Sequence, residues 1–157
     1  MAIYSLGIDV GSTTVKTVII NNNKDIIYSE YQRHFSKVKE AVKEQLEIIA
    51  EKFPDDTFRV CMTGSAGLGL ANGAEISFVQ EVNSAFIAVK ERFSDIDAVI
   101  ELGGEDAKII FMTGGVEQRM NGSCAGGTGA FIDQMATLLA VTVTEMDQMS
   151  LDAQKVY

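Results

Sequence analysis

The sequence predicts an α/β chain built as two related βββα lobes, the second of them incomplete. Three observations predict it. β-branched runs separated by short turns give way to an amphipathic helical pattern, which is the signature of strands followed by a packed helix. The opening pattern then starts again near residue 97: an ungapped shift of 92 residues places Ile8-Asp9-Val10-Gly11 on Ile100-Glu101-Leu102-Gly103 and Lys16 on Lys108. Finally, 157 residues with 46% hydrophobic content suffice for a core, and 14 glycines against one proline mark a chain rich in functional turns.

Residues 3–10 and 14–20 read as two strands of a hairpin joined by Gly11-Ser12-Thr13. Asn21-Asn22-Asn23 tolerates left-handed turn geometry, so a third strand is expected at about 25–31. From Ser36, the spacing of Val38, Val42, Leu46, Ile49 and Phe53 predicts an amphipathic helix that Pro54 ends. A strand at 58–63 leads into the glycine-rich stretch Gly64-Ser65-Ala66-Gly67-Leu68-Gly69, and a second helix presents Val82, Ala85, Phe86, Val89 and Phe93 on one face. The second lobe repeats the plan with strands at 97–102, 107–112 and 116–120 and a helix from Gly127 to about Ala140. A further start at Thr144-Glu145-Met146-Asp147 resembles a capping box. The lobes are expected to cover residues 1–94 and 95–157.

Thirteen Lys and Arg against 22 Asp and Glu give a formal net charge of −9, a field that repels phosphate backbones and disfavours a nucleic-acid binder. No apolar run approaches the ~18 residues of a membrane-spanning helix, and the first residues lack a basic signal-peptide region, so a cytoplasmic protein is expected. Two cysteines, Cys61 and Cys124, cannot make a disulfide framework.

A repeated hairpin of this kind has a physical use, because two glycine turns facing each other can grip a polyphosphate through backbone N–H groups that no Cβ obstructs. The first turn supplies Gly11, the hydroxyls of Ser12 and Thr13, and Thr14; the second supplies Gly103 and Gly104. Asp9 and Glu101 stand at strand ends where a carboxylate holds Mg2+ through water. Lys16 and Lys108 suit phosphate charge, although a strand lysine equally serves as a solvated edge guard. Asp9-Val10-Gly11 alone also fits an ordinary hairpin turn, and its recurrence at residue 101 is what favours the phosphate reading. A P-loop and a dinucleotide-binding glycine fingerprint are both absent from the sequence.

Gly7-Ile8-Asp9-Val10-Gly11-Ser12-Thr13 and Ile100-Glu101-Leu102-Gly103-Gly104 resemble the first and second phosphate motifs of the actin, heat-shock-chaperone and sugar-kinase ATPases, which implies their ribonuclease H-like (actin-like ATPase) fold. The stretch Cys124-Ala125-Gly126-Gly127-Thr128-Gly129 narrows the resemblance to activators of 2-hydroxyacyl-CoA dehydratases and to benzoyl-CoA reductase ATPase subunits, the BadF/BadG/HgdC-type family. That resemblance covers nearly the whole chain. It implies that ATP and ADP bind with Mg2+, and that Cys124 ligates a 4Fe-4S cluster shared by two identical subunits. It also implies a dehydratase or reductase component as electron acceptor, and a donor such as ferredoxin or flavodoxin. A thiolate beside a helix N-terminus is physically suited to such a cluster.

Glu105 stands where these activators often carry Gln, and by that position it would orient the attacking water; an exposed turn carboxylate is the plainer reading. The family's second cluster cysteine and its adenosine-binding glycine motif do not occur before Tyr157, so the chain is expected to be the N-terminal part of a longer protein, inactive alone. His34 lacks a metal-spaced partner and reads as a surface or loop histidine, Cys61 reads as core, and the Gly64-to-Gly73 stretch as a structural loop. Two other functions stay open: a kinase for a sugar or carboxylate, indifferent to Cys124→Ser, and a non-catalytic nucleotide-sensing module of a larger polypeptide.

Overall fold

The computed structural model describes residues 2–104, 106–114, 117–120 and 128–155. The chain forms two compact units, Met1–Phe93 and Ser94–Tyr157.

In the first unit, β1 (Ile3–Val10), β2 (Thr14–Ile20) and β3 (Ile26–Arg33) form an antiparallel meander. Helix α1 (Val38–Lys52) then returns the chain so that β4 (Thr57–Thr63) lies parallel to β1. Alternation along β1 buries Leu6, Ile8 and Val10, which meet Val15, Ile19 and Met62 of the sheet and Ala41 and Ile49 of α1. The edge of this core is aromatic: Phe53, one residue beyond α1, packs edge-on against Tyr4, Tyr28 and Phe58 at centroid distances of 6.0–6.2 Å.

Two elements of this unit were not expected. Helix α2 (Leu68–Gly73) and the two-residue strand β5 (Ser77–Phe78) follow β4, and β5 completes the sheet order β3-β2-β1-β4-β5. Helix α3 (Glu81–Arg92) half-buries the predicted face of Val82, Ala85, Phe86 and Val89. Phe93, just past its end, is 57% exposed and does not share that burial.

The second unit contains the antiparallel sheet β6 (Ala98–Leu102), β7 (Ala107–Phe111) and β8 (Glu117–Met120), with β7 central. Helices α4 (Gly129–Leu138) and α5 (Val143–Leu151) follow, and Ile110 and Ala136 are buried. The capping box exists but sits two residues earlier than expected. Thr142, not Thr144, is the extended N-cap residue: its hydroxyl accepts from Glu145 N–H at 3.1 Å, and the Glu145 carboxylate accepts from Thr142 N–H at 2.7 Å. Thr144 already has helical backbone inside α5 and cannot cap it.

Those Thr142 hydrogen bonds hold the Glu145 carboxyl below the usual carboxylate range. The cap is therefore complete above that range and is lost as acid protonates the carboxylate. Thr142→Ala is expected to speed amide exchange across α5 about fivefold, and exchange followed by NMR checks it. No helix among the described residues is long and apolar enough to cross a membrane.

Candidate functional site

The β1–β2 hairpin builds the first turn. Antiparallel register sets Asp9 directly opposite Lys16, and the Lys16 ammonium donates to Asp9 Oδ2 at 2.8 Å. Gly11 N–H donates to Thr14 O at 2.9 Å and closes the turn, leaving Ser12 exposed at its tip. Burial disfavours the Lys16 charge, but the hydrogen bond and negative charge of Asp9 outweigh it and hold the Lys16 pKa above its ordinary value. The sign follows directly: the pair's contribution is present below the ordinary lysine pKa and is lost only as pH rises through the raised one. At neutral pH Lys16 is a fixed cation beside the turn.

The other oxygen of the same carboxylate is different. Asp9 Oδ1 is buried with no hydrogen-bond partner among the described residues. It lies against the glycine-rich loop after β4, whose Ala66 N–H donates to Val10 O at 2.9 Å. Gly64 has φ +94°, and a Cβ there would stand 2.5 Å from Asp9 Oδ1. The first half of the Gly64-to-Gly73 stretch is thus a loop that packs on the Asp9 end of β1, while its second half, expected as loop, is helix α2.

His34 departs from expectation. It does lie in a loop, between β3 and α1, but it is buried, with 6% of its surface exposed. Its Nε2 lies 3.1 Å from Gly11 O, its Nδ1 3.1 Å from Ser36 N, and its own N–H donates to Thr13 O at 3.2 Å. The sequence offered no local sign of this burial, because the partner lies 23 residues away and is a backbone carbonyl.

The second unit repeats the geometry with a buried lysine. Glu101 is opposite Lys108, which is 6% exposed and has its ammonium 3.7 Å from Glu101 and 3.5 Å from Asp106. Gly103 N–H donates to Asp106 O at 2.8 Å, the bond that Gly11 makes to Thr14 ninety-two residues earlier. At the start of α4, Gly129 N–H and Ala130 N–H donate to Gly103 O and Gly104 O at 2.8 and 2.9 Å. Asp106 was not singled out in the sequence; it earns its place as the second carboxylate on Lys108. Cys61, expected in the core, is half-buried on β4. Glu105 and Cys124 lie outside the described residues.

The first unit therefore brings together Asp9, Gly11, Ser12, Thr13, Thr14 and Lys16, and the second brings together Glu101, Gly103, Gly104 and Lys108. Two three-stranded meanders, each with a glycine turn and each followed by helix, fit the actin-like, ribonuclease H-like class of folds, in agreement with the chain's likeness to solved activator structures. The chain belongs to the BadF/BadG/BcrA/BcrD ATPase family, whose model matches residues 6–156.

The chain is 31% identical to the (R)-2-hydroxyglutaryl-CoA dehydratase activating ATPase of Acidaminococcus fermentans, over 99% of this chain and 61% of that protein. It is 32% identical to the activator of lactoyl-CoA dehydratase of Anaerotignum propionicum, over 96% of this chain and 59% of that one. It thus spans about three fifths of their length. Among solved structures, the activator of the 2-hydroxyisocaproyl-CoA dehydratase from Clostridium difficile with bound ADPNP superposes with TM-score 0.81 at 29% identity, covering 98% of this chain and 59% of that one.

Proposed function

We propose that this chain carries the phosphate-binding part of an ATP-dependent activator of a 2-hydroxyacyl-CoA dehydratase or a related CoA-substrate enzyme. The observation that carries the reading is the Asp9–Lys16 turn: a fixed cation, a glycine turn with Ser12 exposed at its tip, and a carboxylate oxygen at one strand end that has no hydrogen-bond partner among the described residues. Membership of a family whose named relatives activate dehydratases supports it.

The residues suit a magnesium nucleotide. Asp9 Oδ1 is a hard oxygen donor without a protein partner among the described residues, as a cation or its water shell requires. Gly11, Ser12, Thr13 and Thr14 would bind phosphate oxygens through N–H and hydroxyl groups, and Lys16 would neutralise part of their charge. Gly103 and Gly104 would do the same from the second unit, with Glu101 associated with Mg2+ and Glu105 orienting the attacking water. Mg2+ when bound would polarise the phosphoryl oxygens.

In the same reading Cys124 would contribute one thiolate to a 4Fe-4S cluster held between two copies of the complete protein. When bound, that group would provide a low-potential electron for the dehydratase or reductase component, at the expense of ATP hydrolysis. A ferredoxin or flavodoxin would restore it.

The test is iron and acid-labile sulfide per chain, with EPR after reduction, on the anaerobically purified complete protein and its Cys124→Ala variant. The expected result is a cluster in the parent, its loss in the variant, and ATP binding in both. ATP turnover without iron in either would remove the redox activator and leave a kinase or a nucleotide-sensing module.

A further inference from the structure

His34 is a buried titratable side chain to which the phosphate reading assigns no task. Its hydrogen bonds settle its tautomer. Ser36 N–H can only donate, so Nδ1 accepts from it; Gly11 O can only accept, so Nε2 carries the proton and donates. The histidine therefore bridges the β3–α1 loop and the carbonyl of the first turn glycine. The loop is shaped to allow it. Phe35 and Ser36 adopt φ 47° and 65°, a left-handed pair without glycine, and Lys37 N–H closes on His34 O at 2.7 Å.

The consequence follows from peptide planarity. In a trans peptide the C=O of one residue and the N–H of the next point in opposite directions. With Gly11 O held on His34, the Ser12 N–H is turned away from the histidine, at the one exposed residue of the Gly11–Thr14 turn.

The internal repeat offers an independent parallel. The matching carbonyl in the second turn, Gly103 O, is also held from the segment after its third strand, there by Gly129 N–H at 2.8 Å. Both turns tether the same carbonyl. The first uses a side chain where the second uses a helix's first amide.

We propose that His34 is a positioning residue for the first phosphate turn: by fixing the Gly11–Ser12 peptide it presents the Ser12 N–H to a phosphate oxygen of the nucleotide. This rests on the reading of that turn as a phosphate site. Two variants divide the histidine's work. In His34→Asn the amide oxygen takes the place of Nδ1 and keeps the Ser36 bond, but no group reaches Gly11. In His34→Gln the amide nitrogen takes the place of Nε2 and keeps the Gly11 bond.

The experiment is calorimetric titration of the complete parent protein and both variants with ADPNP and Mg2+, beside 15N spectra of the parent imidazole. The expected result is the Nε2–H tautomer, about fivefold weaker binding in His34→Asn, the net worth of one hydrogen bond, and near-parental binding in His34→Gln. Undiminished binding in His34→Asn, equal losses in both variants, or the Nδ1–H tautomer in a parent that binds would overturn the role of His34 while leaving the phosphate site. A parent with the Nε2–H tautomer and no nucleotide binding would overturn the phosphate reading and this role with it.

Discussion

Gly64→Ala is expected to cost on the order of 3 kcal/mol and to lower the melting temperature of the Met1–Phe93 unit by roughly 10–20 °C, given how steeply a domain of that size responds. Two costs combine. At φ +94° an alanine is strained in any surroundings. Its Cβ would also be driven into the Val10 carbonyl, which already accepts from Ala66 N–H, and would lie 2.5 Å from Asp9 Oδ1. Neither neighbour yields cheaply, since one is backbone of the central strand and the other belongs to a carboxylate held by Lys16. Gly69→Ala in α2 is the internal control: nothing lies within 4 Å of its Cβ, and alanine is the better helix former, so stability should hold or rise by up to ~1 kcal/mol. Thermal unfolding of the two variants checks the contrast, and a Gly64→Ala melting temperature equal to that of Gly69→Ala would refute it.

Position 64 also shows where sequence reasoning stops. The glycine run after β4 was visible, but its contact with Asp9 depends on parallel pairing of β1 with β4 across more than fifty residues. What was legible was local or periodic. The bounds of β1 and β2 coincide with their β-branched runs, and the acid, glycine and lysine of the repeat land on equivalent positions because an ungapped shift preserves hairpin register. The Asp9–Lys16 pairing itself was not legible: symmetry about Gly11-Ser12-Thr13 would set Asp9 against Val15, and the Gly11–Thr14 hydrogen bond makes the turn one residue longer and brings Lys16 opposite instead. Strand β5 could not be read because its two residues become a strand only through pairing with Cys61 and Met62. His34 could not be read because a histidine's burial depends on what approaches it, and here that is a turn brought in by β2–β3 pairing. The roles of Glu105 and Cys124 rest on motif and position alone.

Asp9→Asn separates the two tasks that the first turn assigns to one carboxylate. As the partner of Lys16 it restrains a cation; through its other oxygen, buried at the strand end without a hydrogen-bond partner among the described residues, it is suited to magnesium. The substitution keeps the shape but removes the charge. Lys16 loses its anionic partner and is freer to meet phosphate, while the metal faces a neutral amide oxygen in place of an anionic one. The two tasks therefore predict opposite results. If the carboxylate only restrains Lys16, its loss strengthens ATP binding with and without Mg2+. If it also serves Mg2+, metal-free ATP binds at least as well, the gain in affinity on adding Mg2+ disappears, and Mg2+-dependent hydrolysis by the complete protein falls about 100-fold, which corresponds to ~3 kcal/mol of lost transition-state stabilisation. The second outcome is expected, because Oδ1 is buried beside Gly64 without a protein hydrogen bond among the described residues, a desolvation cost that the Lys16 pair on the other oxygen does not offset. ATP titrations of parent and variant in EDTA and in Mg2+ decide it, and an unchanged Mg2+ dependence in Asp9→Asn would reduce Asp9 to a hairpin residue.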